Sequence, residues 1–366
     1  VIFDCLTGDI LTMASMPCYD PNSFSDGIGR VEWKMLNSDD HIPMLNKALQ
    51  GLYPPGSTVK PAAALAMLHH GIDPEETVVC GGGYRLGNRV FKCLGRHGPI
   101  NMADALMKSC NTYFYAMGRR IGYDAIAPFS KALGLGQEFP LPFPSQRYGT
   151  IPDSAWKMRK YDQKWSESDT LNATIGQGYV SVSPFQLAMM AARIASGLNI
   201  QPEIILKKRP APGRLSFPEE HLAVVREGMN RVVNGDGTAV RSRLDIPGIA
   251  MAGKTGTAQV RRISGSQRGQ SGAWKYRDHG LFVCFAPVDN PRYGASVVIE
   301  HGMGGARAAA PIAKDVLTFL YDREKAMASL EALEAGWGGN IEQRMASKYA
   351  AFQGQPAAPP PMDPTI

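Results

Sequence analysis

The β-rich stretches of this chain lie near its two ends, with a long helical middle between them. The first residues, "VIFDCLTGDILTMAS", place two apolar runs around a turn at Thr7-Gly8, as in a β-hairpin. Three further β-rich runs follow residue 248: "IAMAGKTGTAQVR", "GLFVCFAPV" and "YGASVVIEHG". We predict that the two opening strands and these three form one five-stranded antiparallel sheet, in which the first and last parts of the sequence meet.

The middle of the chain has the composition and apolar spacing of helices. Residues 57–71, "STVKPAAALAMLHHG", are rich in Ala, Leu and Met, and Pro61 is tolerated only in a first turn. The helix is therefore predicted to begin close to Ser57, with Lys60 one turn further on the same face. Other predicted helices lie in "INMADALMKSCNTYFYAMGRRIG", with a break at Ser109 to Asn111, and in "SPFQLAMMAARIASGL", "FPEEHLAVVREGMNRVVN" and "PIAKDVLTFLYDRE".

Length and composition limit the class of protein. With 366 residues, 44% of them hydrophobic, the chain can bury a sizeable core as one large domain or a domain with appendages. The net charge of +6 is scattered in short clusters, which favours a solvated basic surface and no nucleic-acid partner. No apolar run is long enough to span a membrane. Because Val1 lies inside a predicted strand, we expect a piece of a longer protein whose anchor or targeting segment precedes it.

A possible nucleophile and base stand three residues apart in the first of these helices. A serine hydroxyl attacks a carbonyl only when a base takes its proton, and a lysine can be that base only when its pKa is lowered. Ser57 and Lys60, in "GSTVKP", have the required helical spacing. The spacing alone is weak, because a second copy, Ser154 and Lys157, occurs in the polar segment "SAWK".

Two more motifs follow in the same chain. "KSCNTYF" places the hydroxyl of Ser109 and the carboxamide of Asn111 on either side of one residue, so that both can face one cavity. "AGKTGTAQV" carries Lys254 to Thr257 inside a predicted strand, where Gly256 leaves room for an approaching backbone. The three motifs in this order are far more specific than any one of them.

Together they resemble the penicillin-binding protein and serine β-lactamase superfamily, whose motifs are S-x-x-K, S-D-N and K-T-G. The segments "NKALQGLYPPGSTVKP", "LNATIGQGYVSVSPFQLA" and "RDHGLFVCFAP" are most similar to the penicillin-binding protein 2 group, the class B transpeptidases that cross-link peptidoglycan during cell elongation in Gram-negative bacteria. The division-specific group 3 is the nearest alternative. The resemblance implies an α+β fold, with a five-stranded antiparallel sheet flanked by N- and C-terminal helices and a mostly helical subdomain.

The resemblance also implies a domain division. It covers residues 1–322 as the transpeptidase domain, with a Cys/His insert at about residues 78–110. Residues 323–366 are expected to be a C-terminal extension, and their Pro-rich end "GQPAAPPPMDPTI" is predicted to be disordered.

Catalytic roles follow from the resemblance at matching positions. Ser57 is expected to be the acylated nucleophile and Lys60 its general base. Ser109 is expected to pass a proton to the leaving amine. Asn111 is expected to hydrogen-bond the donor peptide and to hold Lys60.

Substrate binding is expected to fall to the third motif. Lys254 and Thr255 would receive the terminal carboxylate of a D-Ala-D-Ala peptide or of a β-lactam. Gly256 belongs to the same strand segment, and the backbone N–H groups of Ser57 and Thr257 would form the oxyanion hole.

Three of the six cysteines lie in a pattern with a histidine, C-x12-C-x3-H-x12-C. Thiolates and an imidazole at this spacing are compatible with a tetrahedral zinc site, while a disulfide or free buried thiols remain alternatives. Members of the penicillin-binding protein 2 group resemble this pattern, with Asp, His and Cys ligands at similar places. That resemblance implies a structural zinc ion on Cys80, Cys93, His97 and Cys110, and no cofactor for catalysis.

The function implied is that of a peptidoglycan D,D-transpeptidase, with stem peptides as substrates and β-lactams as inhibitors. The resemblance further implies the periplasmic domain of a bacterial inner-membrane protein, working beside a polytopic glycosyltransferase and elongation-complex scaffold proteins. A D,D-carboxypeptidase, a serine β-lactamase, and a β-lactam-sensing or scaffold domain without turnover remain alternatives. The β-lactamase would need a deacylating base, for which the sequence contains no clear glutamate loop.

Two further features near these motifs carry weaker interpretations. His69 and His70 are predicted to lie about 18 Å from Ser57 along a continuous helix, too far for a Ser-His pair. The loop Gly176-Gln177-Gly178 is either part of the active site, as in the family, or a plain turn before a helix.

Overall fold

The structure is a computed structural model, and it describes residues 1–143, 145–207, 210–260 and 273–353. The predicted disordered end, residues 354–366, lies outside the described residues. The chain divides into two compact units: Val1–Met13 with Ala48–Lys314, and Ala14–Lys47 with Asp315–Ile366.

Nine strands are found in the described parts of the chain. They are β1 (Ile2–Asp4), β2 (Ile10–Thr12), β3 (Val78–Cys80), β4 (Gly83–Leu86), β5 (Arg89–Lys92), β6 (Gly98–Ile100), β7 (Ala252–Ala258), β8 (His279–Ala286) and β9 (Tyr293–Ile299).

The main sheet has five strands in the order β2-β1-β9-β8-β7, and every neighbouring pair is antiparallel. Ile2 of β1 lies opposite Ala295 of β9, so the first residues of the chain pair with a strand almost 300 positions later. The predicted five-stranded sheet, and the meeting of the two ends of the sequence in it, are confirmed. Strand β7, which carries Lys254 to Thr257, is at one edge.

Thirteen α-helices accompany the strands over the same described ranges. They are α1 (Arg30–Ser38), α2 (Lys47–Gln50), α3 (Lys60–His69), α4 (Met102–Met107), α5 (Asn111–Ile121), α6 (Tyr123–Ala132), α7 (Ser154–Tyr161), α8 (Glu167–Thr174), α9 (Pro184–Ser196), α10 (Glu219–Asn234), α11 (Ala310–Tyr321), α12 (Arg323–Trp337) and α13 (Ile341–Phe352). The α+β class is confirmed. Among these described elements, no helix is both long and apolar enough to cross a lipid bilayer.

The core of the larger unit forms around helices that are buried on all sides. Helix α9 is buried along almost its entire length and packs on β8 and β9. It begins at Ser183, whose side chain and that of Gln186 form a capping box, as the Ser-Pro start of its sequence predicts. Helix α3 is likewise buried from Lys60 to Leu68, which matches its run of Ala, Leu and Met.

The start of α3 differs from the prediction. Ser57 lies in a 3₁₀ turn, Gly56–Val59, and the α-helix begins only at Lys60. Pro61 therefore sits in the first turn of the α-helix, where its missing N–H group costs no hydrogen bond.

Two small sheets in residues 78–100 were not predicted. Strand β3 pairs with β6, and β4 pairs with β5 as a hairpin. These strands are only three or four residues long, so their sequence has little of the alternation that indicates a strand.

The smaller unit is helical where it is described. Helices α1 and α13 pack together, and Lys348 forms an ion pair with Asp39. The stretch from residue 323, expected to be an extension, contains the two helices α12 and α13.

Candidate active site

The first motif lies on a tight turn against strand β7. Gly56 has φ of 55°, and a Cβ atom there would lie 2.5 Å from the carbonyl oxygen of Thr257. On the opposing strand, a Cβ atom at Gly256 would lie 2.7 Å from the side chain of Thr58. The turn that carries half-buried Ser57 and the third motif therefore touch through two glycines, which bring their backbones together.

Lys60 links the first motif to the second. Its side chain is fully buried, and its Nζ donates hydrogen bonds to the carbonyl oxygen of Ser109 at 2.9 Å and to Asn111 Oδ1 at 2.7 Å. The same nitrogen lies 3.3 Å from Ser109 Oγ. The break between α4 and α5, where Ser109 has φ of 55°, lets one residue present both its hydroxyl and its carbonyl oxygen to Lys60.

Lys254 reaches the same hydroxyl group from the strand. Its Nζ donates to Ser109 Oγ at 2.9 Å and to the carbonyl oxygen of Thr255 at 3.2 Å. Like Lys60, it is fully buried. Two lysines from distant parts of the chain thus converge on one serine hydroxyl.

Burial changes the protonation of both lysines. Loss of hydration lowers the pKa of Lys60 to about 7, although the thiols of Cys110 and Cys93 act in the opposite direction. Burial, and then the charge of Lys60, hold the pKa of Lys254 well below its ordinary value. A neutral amine is therefore available in this cluster at neutral pH, as a general base requires.

Ser57 Oγ has no hydrogen-bond partner among the described residues, and Lys60 Nζ is directed to Ser109 and Asn111. The hydrogen bond expected between the nucleophile Ser57 and the base Lys60 is thus not formed in this structure. Catalytic hydrogen bonds are often long before substrate binds, so the open contact is compatible with acyl transfer.

The loop Gly176-Gln177-Gly178 lies at the same turn. The carbonyl oxygen of Gly176 accepts a hydrogen bond from the N–H group of Gly56 at 2.9 Å, and Gln177 Nε2 donates to the carbonyl oxygen of Thr257 at 3.4 Å. Of its two interpretations, the one that places this loop at the active-site turn agrees with these contacts.

The four residues expected to bind zinc form one cluster. The ligand atoms of Cys80, Cys93, His97 and Cys110 all lie within 4.8 Å of one another, and the three cysteines are buried. The Sγ atoms of Cys93 and Cys110 are 3.8 Å apart, and His97 Nδ1 is 3.3 Å from Cys80 Sγ. Zn–S bonds of about 2.3 Å arranged tetrahedrally require separations of this size, so the donor set fits a structural zinc ion.

The cluster adjoins the second motif through Asn111. The N–H group of Asn111 donates to Cys93 Sγ at 3.2 Å, and its side-chain Nδ2 donates to the carbonyl oxygen of Lys92 at 3.3 Å. Cys110 itself lies between Ser109 and Asn111 in the sequence. Anything that orders the cluster therefore also orders Asn111.

A comparison with protein families matches residues 1–318 to the penicillin-binding protein transpeptidase domain. The chain belongs to this family.

Similar proteins include peptidoglycan D,D-transpeptidases named MrdA. The protein from Acinetobacter baumannii is 37% identical over 347 residues, which cover 89% of this chain and 51% of the relative. The protein from Escherichia coli strain K12 is 30% identical over 326 residues, which cover 83% of this chain and 51% of the relative. The transpeptidase-family chain thus spans about half the length of the curated relatives that it matches.

Solved structures of penicillin-binding protein 2 have the same fold. PBP2 from Pseudomonas aeruginosa, in complex with WCK 5153, superposes with a TM-score of 0.76 at 34% identity, covering 87% of this chain and 69% of that one. PBP2 from Helicobacter pylori, in complex with MreC, gives a TM-score of 0.80 at 30% identity, covering 88% and 60%. The predicted penicillin-binding protein fold is confirmed.

The second Ser-x-x-Lys copy of this transpeptidase-family chain is not a site of the same kind. Ser154 Oγ donates to Asp124 Oδ2 at 2.6 Å, and Lys157 Nζ donates to Asp169 Oδ2 at 2.6 Å. Each of the two groups is thus hydrogen-bonded to a carboxylate. His69 and His70, at the end of α3, contact the ring of Phe129.

One residue of the transpeptidase site was missed by the sequence analysis. Thr238 Oγ1 lies 2.7 Å from Thr255 Oγ1, so the two hydroxyls are hydrogen-bonded. Thr238 sits in the turn-rich "NGDGTAV" segment after α10. Nothing in that segment indicates a partner on β7, because the contact depends on how the turn folds back.

All six cysteines of the transpeptidase-family chain are described, and all are free thiols in the structure. Cys284 is fully buried in β8, as its place in an apolar strand predicts.

Proposed function

We propose that this chain is the transpeptidase domain of a peptidoglycan D,D-transpeptidase of cell elongation, and that it is acylated on Ser57. The convergence of Lys60 and Lys254 on Ser109 Oγ, next to the Ser57 turn, is the observation that carries the proposal. The similarity to the MrdA proteins supports the choice of substrate class.

In the first half of the reaction, neutral Lys60 takes the proton of Ser57 as Ser57 Oγ attacks the carbonyl carbon between the two D-Ala residues of a donor peptide. The C–N bond then breaks as Ser109 gives its proton to the departing amine of the last D-Ala and takes the proton that Lys60 had gained, so that Lys60 is neutral again. The product is an ester on Ser57. The lowered pKa of Lys60 supports its role as the base.

In the second half, the amine of a neighbouring stem peptide attacks the ester carbonyl. The C–O bond to Ser57 breaks, a new amide forms, and the proton lost by the amine returns to Ser57 Oγ through Lys60. A water molecule in place of the amine would make the enzyme a carboxypeptidase.

Binding and charge stabilisation are assigned to the remaining motif residues. Lys254 and Thr255 receive the terminal carboxylate of the donor, and the backbone N–H groups of Ser57 and Thr257 hold the oxyanion. The tight contact across Gly256 supports this assignment, because it keeps the Ser57 turn close to β7. Asn111, fixed by Lys60 and by the carbonyl oxygen of Lys92, would contact the donor backbone.

The Cys/His cluster is proposed to hold a structural zinc ion on Cys80, Cys93, His97 and Cys110. Four protein ligands complete a tetrahedral site and leave no position for substrate, so the ion would stabilise the fold. Its effect on the reaction would be to hold Asn111 in place.

The setting of the whole protein is proposed from its relatives. The Helicobacter pylori PBP2 structure contains MreC, and another similar structure is described as a peptidoglycan synthase complex that coordinates polymerization and crosslinking. We infer that the full-length protein is anchored in the inner membrane, that this domain works in the periplasm, and that a polytopic glycosyltransferase and scaffold proteins are its partners.

Intact-protein mass spectrometry after incubation with a penicillin tests the nucleophile. The wild-type chain and the Ser154→Ala control should carry a stable adduct, and Ser57→Ala should carry none. Destruction of the penicillin without an adduct would instead indicate a β-lactamase. Incubation of the wild type with a D-Ala-D-Ala peptide and a second amine then separates cross-linking from simple release of D-Ala, which would indicate a carboxypeptidase.

A further inference from the structure

A strongly basic stretch lies beside the active site. We call residues 81–98 the basic lobe; it includes the hairpin β4–β5 and the loop that follows. The lobe contains four cationic residues and no Asp or Glu, and all four cations are exposed: Arg85, Arg89, Lys92 and Arg96.

These four cations have no carboxylate partner. In the described parts of the chain, none of them forms an ion pair or a side-chain hydrogen bond, and Arg89 instead lies over the ring of Phe91. Cations nearby are paired: Lys108 with Asp236, and Arg119 with Glu167. These nearby carboxylates are thus paired with cations outside the lobe, and the positive charge of the lobe is not neutralised by them.

Two of the four cations lie on the face of the hairpin that is directed away from the core. Phe91 of β5 packs with Tyr115 and Leu171, so that face of the hairpin is directed to the core. Side chains alternate along a strand, and Arg85 lies opposite Val90 in the register. Arg85 and Lys92 therefore share the outer face.

One residue of the outer face, Lys92, contacts the active site through its backbone. The carbonyl oxygen of Lys92 accepts a hydrogen bond from Asn111 Nδ2, and Asn111 also holds Lys60. Only Asn111 thus lies between Lys92 and the catalytic Lys60, while the side chain of Lys92 is exposed.

We propose that the outer face of the basic lobe docks a carboxylate-bearing segment of the peptide substrate, upstream of the D-Ala-D-Ala end. The inference rests on the proposed function, which brings such a peptide to Asn111. Exposed guanidinium and ammonium groups bind carboxylates in any of several geometries, so the face selects charge and leaves the exact sequence free. The contact of Lys92 with Asn111 favours a peptide bound at the active site over an unrelated anionic polymer.

Two synthetic peptides ending in D-Ala-D-Ala test this surface by fluorescence anisotropy. One carries two upstream Glu residues, and the other carries Gln at both positions. Wild type should bind the Glu peptide about fivefold more tightly, because each exposed ion pair contributes a modest amount. The preference should disappear at high salt.

The variants are Arg85→Gln/Lys92→Gln, the single Arg85→Gln, and a control pair of exposed cations from α1, Arg30→Gln/Lys34→Gln. The double lobe variant should bind both peptides equally, the single variant should lose part of the preference, and the control should behave like wild type. Thermal melting checks that each variant is folded.

Equal binding of the two peptides by wild type, or an unchanged preference in the double lobe variant, would overturn the proposal. Displacement of the Glu peptide by polyphosphate, at a phosphate concentration lower than the concentration of peptide carboxylates, would also overturn it. That result would indicate a phosphate-bearing polymer as the ligand. Acylation of wild-type Ser57 by a penicillin is measured separately. A peptide preference without acylation would support the lobe and contradict the proposed function.

Discussion

Lys254 Nζ lies 2.9 Å from Ser109 Oγ, although the two residues are 145 positions apart in the sequence. Lys60 Nζ is 3.3 Å from the same oxygen. Two ammonium groups cannot share one hydroxyl group in a dry site without strong repulsion, so the arrangement favours a state in which at least one lysine is neutral.

The rate of acylation by a penicillin should rise with pH through about 7. Lys60 acts as a base only in its neutral form, and burial lowers its pKa to about 7, so the neutral fraction grows as pH increases through that value. Stopped-flow measurement of adduct formation between pH 5 and 9 gives the profile. Lys60→Gln should lower the rate by about 100-fold or more and remove the rise. A rise that persists in Lys60→Gln would assign the titration to another group.

Gly256→Ala should destabilise the domain and slow acylation. The added Cβ atom would lie 2.7 Å from Thr58 Cγ2 and 2.9 Å from the carbonyl oxygen of Pro55, so the Ser57 turn must move away from β7. Overpacking of this kind costs about 1–3 kcal/mol. Gly213→Ala is the control, since nothing lies within 4 Å of its Cβ position. Urea unfolding and acylation rates of the two variants should differ clearly; equal values would mean that the contact is not tight in solution.

Cys80→Ser should lower both the zinc content and the melting temperature. Cys80 Sγ lies 3.3 Å from His97 Nδ1 within the four-residue cluster, and a serine oxygen is a poorer zinc ligand than a thiolate. Metal analysis after gentle purification and a thermal melt provide the measurement. Exposed Cys18→Ser serves as the control for loss of one thiol. A wild-type chain without zinc, or a Cys80→Ser variant with unchanged metal content and melting temperature, would contradict the zinc proposal.

Thr238→Val should weaken substrate binding more than it weakens folding. The change keeps the shape of the side chain but removes the 2.7 Å hydrogen bond to Thr255 Oγ1. One such hydrogen bond contributes a net free energy of about 0.5–1.5 kcal/mol. Since Thr255 is the proposed carboxylate receiver, the KM for a D-Ala-D-Ala peptide should rise about threefold to tenfold while kcat changes less. Thr238→Ser keeps a hydroxyl group and should restore most of the lost affinity. A failure of Thr238→Ser to recover it would assign the effect to packing.

The main sheet and the long helices were predictable because their patterns are local. The apolar runs around β8 and β9 and the capped start of α9 at Ser183 can each be recognised within about ten residues. The small sheets β3–β6 and β4–β5 are not predicted, because strands of three or four residues are too short to show a clear periodicity. The sequence predicts the first turn of α3 at Ser57, where the structure has a 3₁₀ turn, because both conformations use similar residues.

The amino-acid sequence was sufficient to specify which chemical groups are present and in what order: a serine and a lysine one turn apart, a serine and an asparagine at a helix break, and a lysine in a strand. It was also sufficient for the penicillin-binding protein family, because those motifs are short and local. The folded chain alone decides that Lys60 and Lys254 meet at Ser109, that Ser154 and Lys157 are each paired with a carboxylate, and that Thr238 supports Thr255. The physical reason is that a pKa and a hydrogen bond depend on burial and on neighbours, which are set by packing between residues far apart in the sequence.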